Sequence, residues 1–287
     1  MRCNTPWLPD GWSRPLPFGL VSGLLTVGAA MAQGVALEPE IVRFASGDQT
    51  LGGELYMPAG PGPIPAVLYN HGSAPGMLSS QASRAIGPRF ARSGWLFFMP
   101  YRRGQGLSAD AGPYIGDALA AARHQGGLKQ ASETLGQLLA TTQLDDQLAA
   151  LAWLRSRGDV LPSRIAAAGN SLGGVQALLG GAAASYCAVV ASSAGSQSWA
   201  DSPDLRQLLL RAAREARAPV LLFQAQNDHD LAPNQALRAE LQRAGKAVEQ
   251  RVYPAFGSSA QQGHAFAYQG SDIWFADVLD FLQLYCP

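Results

Sequence analysis

The sequence predicts an α/β fold, a mostly parallel eight-stranded sheet with helices on both faces. Three observations carry that expectation. Short apolar runs alternate with helix-forming segments along most of the chain, the pattern of a parallel sheet covered on both sides. The 287 residues are 47% hydrophobic and 15% charged, enough to build one sizeable core and unlike a disordered or collagenous chain. A serine turn, Gly169-Asn170-Ser171-Leu172-Gly173, joins the apolar run Arg164 to Ala168 to the helix-forming stretch Val175 to Leu179.

Glu40 to Phe44 and Gln49 to Met57 read as an opening antiparallel pair around Ser46-Gly47-Asp48. The next strands are Ala66 to Asn70 and Trp95 to Pro100, separated by a helix near Gln81 to Ser93. Ile165 to Ala168, Ala188 to Ser192, Val220 to Gln224 and Glu249 to Tyr253 complete the sheet. Helices are expected near Leu144 to Ser156, Val175 to Ala183, Leu205 to Ala216, Asn234 to Ala244 and Ile273 to Leu284. The longest connection, Gly104 to about Asp145, mixes the Gly/Pro-rich Ala109 to Gly116 with helix-compatible Leu119 to Arg123 and Gln130 to Leu139. It reads either as a small cap-like insertion around 107–141 near the mouth of a site or as a surface excursion.

Residues 1–32 differ from the rest. Arg2 and Arg14 precede an apolar stretch from Phe18 to Met31, and Ala30-Met31-Ala32 offers the small-x-small pattern of signal cleavage, with Gln33 as the new terminus. The stretch contains Gly19, Gly23 and Gly28 and is shorter than the roughly 20 residues a membrane span needs. The expectation is a cleaved secretory signal peptide, a secreted or periplasmic product, and no stable membrane anchor. The α/β domain would then occupy 33–287. Cleavage removes Cys3 and leaves Cys187, ahead of a central strand, and Cys286, at the end of the last helix. Both belong at the same end of the sheet, so a disulfide and two separate thiols are both open readings.

The formal charge is zero, so no basic surface is implied that would attract nucleic acid. A small molecule is the expected partner.

Small residues on both sides of Ser171 let the chain turn sharply and present the hydroxyl above the sheet. A serine hydroxyl is a poor nucleophile at neutral pH. It needs a base within hydrogen-bond reach and a carboxylate to orient that base. His264 lies in a loop between the last strand and the last helix, where it can reach the top of the sheet. Asp228 ends the run from Val220 and lies just beyond the carboxyl end of a strand, the edge at which such sheets bind ligands. Asp230, two residues on, is the competing acid. The triplet Asp228-His229-Asp230 also invites a metal reading, but no second ligand cluster accompanies it, and neither metal nor other cofactor is expected.

Two backbone donors would complete an oxyanion hole: the N–H of Leu172, directly after the serine, and the N–H of Ser73 in the turn His71-Gly72-Ser73. His71 precedes the nucleophile and is expected to support its loop. Trp199, Met77 and Tyr114 are candidates for the pocket wall, though plain packing is the commoner role for such side chains.

Asn70 to Ser73, the Tyr101-Arg102-Arg103-Gly104-Gln105-Gly106 loop, Gly169 to Gly174, Asp228 and Gly263-His264 together resemble the α/β-hydrolase superfamily. The chain order Ser171, Asp228, His264 is the order of that superfamily. Within it, Gln226-Asn227-Asp228, Gly263-His264-Ala265-Phe266 and the short link before Pro219 resemble the dienelactone-hydrolase-like branch, over roughly Ile41 to Leu284. Dienelactone hydrolases use cysteine where this chain has Ser171, so the resemblance implies a serine carboxylesterase rather than dienelactone activity itself. It also implies that Tyr101 to Gly106 lies beside the site, with Arg102 or Arg103 in a structural role.

The expected reaction is cleavage of a carboxylic ester through an acyl-enzyme. Two alternatives stand beside it: a secreted serine peptidase of prolyl-oligopeptidase type, and a noncatalytic α/β-hydrolase-like binding protein. Retention of all three polar residues speaks against the second.

Overall fold

The computed structural model describes residues 37–73 and 81–287. The proposed signal peptide, its cleavage site and Met77 lie outside the described residues. Eight strands form one sheet in the order β1-β2-β4-β3-β5-β6-β7-β8. They are β1 (Glu40–Ser46), β2 (Gln49–Tyr56), β3 (Ile64–Asn70), β4 (Leu96–Pro100), β5 (Val160–Asn170), β6 (Val189–Ser192), β7 (Val220–Ala225) and β8 (Val248–Tyr253). β1, β2 and β4 pair antiparallel, and every pairing from β4 to β8 is parallel. All eight coincide with the expected strands to within a few residues, except that β5 begins five residues earlier than Ile165.

The alternation of side chains along each strand divides the core between the two faces. Leu68, Phe98 and Leu222 pack on one face with Phe44, Leu139, Leu154, Leu178 and Leu209. Their neighbours Val67, Phe97 and Phe223 pack on the other with Ile86, Phe90, Trp274 and Phe281. A central strand flanked on both faces must be apolar throughout. Ala166, Ala167 and Ala168 in β5 satisfy this with small side chains.

Helices α1 (Gln81–Arg92), α2 (Ile115–Ala140), α3 (Thr142–Ser156), α4 (Leu172–Ala183), α5 (Pro203–Glu215), α6 (Ala232–Arg243), α7 (Ala260–His264), α8 (Phe266–Gln269) and α9 (Ser271–Tyr285) fill the connections. The long connection turns irregularly up to Tyr114 and is helical from Ile115, where its helix-compatible pieces lie. Its two expected helical pieces are joined through Gly126 and Gly127, whose dihedrals leave the helical region and kink α2. α2 packs against α3 and α5, and Ser132 ties it to α5 through Asp204 (Oγ–Oδ2 2.5 Å). No helix among the described residues is long and apolar enough to cross a membrane.

Cys187 and Cys286 are joined in a disulfide, closing the reading that the sequence left open. It links the start of β6 to the end of α9, and Arg164 of β5 donates to the Cys286 carbonyl at 2.8 Å beside it.

Candidate active site

Ser171 stands between the end of β5 and the start of α4 with φ 58° and ψ −121°, a left-handed backbone that costs a non-glycine residue strain. Its neighbours show why the turn tolerates this. A Cβ on Gly169 would meet the Gly173 carbonyl oxygen at 2.2 Å, and one on Gly173 would meet the Asn70 carbonyl oxygen at 1.9 Å. The turn is thus pressed against the end of β3, and only glycine fits at either contact. Ser171 N–H donates to Ser192 O (3.0 Å), and Val175 N–H donates to Ser171 O (3.1 Å). The hydroxyl is therefore held by a rigid strand on one side and a helix on the other.

His264 Nε2 lies 2.9 Å from Ser171 Oγ, and its Nδ1 lies 2.8 Å from Asp228 Oδ1. Residues separated by 93 and 36 positions meet because β5, β7 and the segment after β8 all end at the same sheet edge. His264 is the last residue of the short helix α7, not a loop residue as the sequence suggested. The helix forms because Ser259 Oγ accepts from Gln262 N–H (3.2 Å) and caps it. Asn227 then pins this segment to the acid. Its Nδ2 donates to Phe256 O and Ser259 O, each at 3.0 Å, and its Oδ1 accepts from Phe256 N–H at 2.8 Å.

Asp228 and His264 are both buried. Burial by itself would raise the pKa of the Asp228 carboxyl. The hydrogen bond with His264, the adjacent Ser193 hydroxyl, the charge of the imidazole and the His229 N–H outweigh it, and the carboxyl ends below the ordinary aspartate value. Asp230, the competing acid, faces elsewhere: its Oδ1 accepts from Ala232 N–H (2.8 Å) at the start of α6.

Ser196 was not singled out from the sequence as a site residue, and His229 entered only through the metal reading of Asp228-His229-Asp230. Ser196 Oγ donates to Asp228 Oδ1 (3.0 Å) and lies 3.1 Å from His264 Nδ1. His229 gives its N–H to Asp228 Oδ1 (2.7 Å), and its ring meets the His264 ring edge-on with centroids 5.2 Å apart. Ser196 sits four residues past β6 in a turn, and only the strand order places that turn beside the one carrying Asp228.

The turn after β3 is built around a buried cation. Arg102 donates through Nη1 to His71 O (2.7 Å) and through Nη2 to Gly72 O (3.0 Å) and Gln105 Oε1 (3.3 Å). Its backbone N–H donates to His71 Nε2 (3.2 Å), while His71 Nδ1 donates to Gly72 O (2.7 Å). Burial and the Arg102 charge hold the His71 pKa well below the usual histidine range, so the ring is neutral. Burial lowers Arg102 to about 10, which leaves it charged at neutral pH. Arg103 turns the other way, donating through Nε (3.0 Å) and Nη2 (2.6 Å) to Asp146 of α3. Both arginines are structural, and His71 supports its loop. Gly72 faces Ser171, since a Cβ on it would lie 3.6 Å from Ser171 Cβ. Ser73 follows, its Oγ 3.1 Å from Tyr114 Oη at the start of α2. Leu172 is the first residue of α4, where backbone N–H groups have no partner within the helix.

Asp228, His229 and His264 offer metal-ligating atoms within 4.8 Å of one another. Asp228 and His264 are already bonded to each other, and His264 to Ser171, so an ion would have to displace the Ser171–His264–Asp228 contacts.

Fold and site together define an α/β-hydrolase: a mostly parallel eight-stranded sheet with a strand–serine–helix turn at its carboxyl edge. The model of the dienelactone hydrolase family matches residues 51–283, and the chain belongs to that family. Solved structures agree on the fold. Acylaminoacyl peptidase from Pyrococcus horikoshii superposes with TM-score 0.65 at 19% identity, covering 88% of this chain and 42% of its own. A puromycin-hydrolyzing peptidase from Mycobacterium tuberculosis gives 0.63 at 20% identity, covering 89% and 41%. A Klebsiella pneumoniae protein assigned as a dienelactone hydrolase gives 0.58 at 20% identity, covering 83% and 98%. The chain thus spans less than half the length of the two peptidases and nearly the whole of the third structure. No curated protein matches the chain.

Proposed function

We propose that this α/β-hydrolase is a serine carboxylesterase that works through Ser171, His264 and Asp228. The observation that carries the proposal is the continuous hydrogen-bond path from Ser171 Oγ through both ring nitrogens of His264 to Asp228 Oδ1, at 2.9 and 2.8 Å. His264 takes the Ser171 proton as the oxygen attacks an ester carbonyl. The Leu172 and Ser73 backbone N–H groups receive the developing oxyanion, and the N-terminus of α4 adds a favourable field. The proton on Nε2 passes to the leaving alcohol, and an acyl-Ser171 ester remains. Water then repeats the sequence and frees the acid. Asp228 keeps the imidazole in the Nδ1–H form, and its lowered pKa keeps it anionic throughout the neutral range.

The test is intact-mass analysis with a fluorophosphonate. One adduct on the parent and none on Ser171→Ala is the expected result. A well-folded parent that takes no adduct overturns the assignment and favours a noncatalytic binding protein.

A peptidase reading is the second proposal, because two of the similar structures are peptidases. Turnover of aminoacyl-arylamides without turnover of aryl esters would favour it. We further propose that residues 1–32 are a secretory signal and that the protein works outside the cytoplasm. The Cys187–Cys286 disulfide supports this, since such bonds persist in oxidising compartments.

A further inference from the structure

Among the described residues, two that are not glycine hold a left-handed backbone: Ser171 (φ 58°) and Ser193 (φ 52°). Such a backbone is costly for any residue with a Cβ, and instances gather where the surroundings impose them, functional sites above all. At Ser171 it shapes the turn between β5 and α4. Ser193 stands directly after β6. Its N–H donates to Phe223 O of β7 (3.0 Å), and its carbonyl accepts the Ser196 N–H (3.2 Å), closing the turn that carries Ser196. Asp228 lies just past the end of β7, so this turn and the acid stand side by side at the carboxyl edge of the sheet.

Two buried atoms in this corner lack a partner. Asp228 Oδ1 takes three donors, from Ser196, His229 and His264. Asp228 Oδ2 is shut off from solvent and takes none. The Ser193 side chain is fully buried, and its Oγ is unpaired as well. The two groups are neighbours: burial raises the Asp228 carboxyl, and the contacts with His264 and then with the Ser193 hydroxyl are foremost in bringing it down. A hydroxyl and a carboxylate oxygen both withdrawn from water gain most by bonding to each other, and a charge-assisted bond of this kind is roughly twice as strong as a neutral one. The hydroxyl hydrogen is free to rotate toward the charge.

We infer that Ser193 is a positioning residue for the acid, its hydroxyl donating to Asp228 Oδ2 while the left-handed backbone aims it there. The inference rests on the serine-hydrolase reading above. Ser193 touches neither substrate nor Ser171 Oγ and acts only through Asp228. With Oδ2 bonded, the carboxylate keeps its seat while His264 takes the Ser171 proton and passes it on. Without that donor, Oδ2 is a buried charge drawn to any donor it can reach, at the expense of the His264 bond.

The test separates the hydroxyl from the strained backbone. Ser193→Ala removes the hydroxyl and keeps the strain, whereas Ser193→Gly removes both and keeps the test open if the alanine variant does not fold. Each should lower kcat on an aryl ester about tenfold with KM little changed, the scale of one hydrogen bond to a charged group. The glycine variant should nevertheless unfold at the higher urea concentration of the two. In an Asp228→Asn background, adding Ser193→Gly should leave the fluorophosphonate labelling rate unchanged, because the route from Ser193 to Ser171 is already cut. A glycine variant with the parent's kcat overturns the inference, and so does a slowing in the Asp228→Asn background as large as that in the parent. Both of those outcomes are read on an active parent and leave the serine-hydrolase reading intact. A folded parent that neither turns over aryl esters nor takes the fluorophosphonate overturns that reading and this inference together.

Discussion

Ser196 Oγ donates to the same oxygen of Asp228, at 3.0 Å, that receives His264 Nδ1–H at 2.8 Å. The His229 N–H reaches that oxygen as well, at 2.7 Å. Three donors on one oxygen fix the plane of the carboxylate, and with it the orientation of the ring that bonds to Ser171 Oγ. On the proposed mechanism, removing the Ser196 hydroxyl loosens this array without touching substrate. Ser196→Ala should lower kcat about tenfold with little change in KM, in line with the loss of one hydrogen bond to a charged group. Ser196→Thr, which keeps the hydroxyl, should recover most of the loss. Steady-state kinetics on an aryl ester decides it, and equal rates for parent and alanine variant would show that two donors suffice.

The neutral, buried His71 makes stability depend on pH. Its folded pKa lies well below 6.5, whereas in the unfolded chain it binds a proton near that value. Below about pH 6.5 the unfolded state therefore binds more protons than the native state, and stability falls as pH falls. One such group contributes a slope of up to about 1.4 kcal/mol per pH unit. Urea unfolding between pH 7.5 and 5 should show the decline, and His71→Gln should flatten it even though the variant is less stable at neutral pH. A variant with the parent's slope would place the proton uptake elsewhere.

Much of this architecture is legible in the sequence, because the signals that carry it are local. Strand alternation, the glycines around Ser171 and the chain order of Ser171, Asp228 and His264 depend on residues a few positions apart or on order alone. Gln262 and Ser259 close a short helical turn that ends at His264, yet Gly263 and the serines around it read as loop. The Gly126-Gly127 pair reads as a break between two helical pieces, and its dihedrals leave the helical region at that point. Ser196 and the particular carbonyls that Arg102 holds depend on which turns meet at the sheet edge. They become visible only once β6 is set beside β7, and β3 beside β4. The Cys187–Cys286 pairing needed the same information, since only the fold brings a strand start against a helix end 99 residues away.

Arg102 is a buried cation whose fork organises two carbonyls of the turn opposite Ser171. Lysine keeps the charge but offers a single ammonium in place of the planar fork. Arg102→Lys should cost about 3 kcal/mol in unfolding free energy, the scale of breaking a buried charged contact. On the proposed mechanism it should also lower kcat more than 10-fold, because Ser73 follows directly on the turn and its N–H is an oxyanion donor. Comparing urea midpoints with fluorophosphonate labelling rates under native conditions separates the two effects. A variant of reduced stability that labels at the parent's rate would remove this turn from the oxyanion hole.

The disulfide closes a loop whose ends are 99 residues apart, so most of its effect should lie in the unfolded chain. For a loop near that length the chain-entropy relation gives about 4.7 kcal/mol, and removal of native disulfides generally costs about 2–5 kcal/mol. Cys187→Ser/Cys286→Ser should lose stability within that range. Ser171, Asp228 and His264 lie at the opposite, carboxyl edge of the sheet, so on the proposed function the variant should hydrolyse an aryl ester at the parent's rate at temperatures where it remains folded. The check pairs urea unfolding of the oxidised parent, the reduced parent and the double variant with their initial rates. Matching stabilities of the last two would assign the whole difference to the cross-link. A loss of rate in a folded variant would mean that strain or motion passes from Cys187 along β6 to the Ser192 carbonyl that holds Ser171.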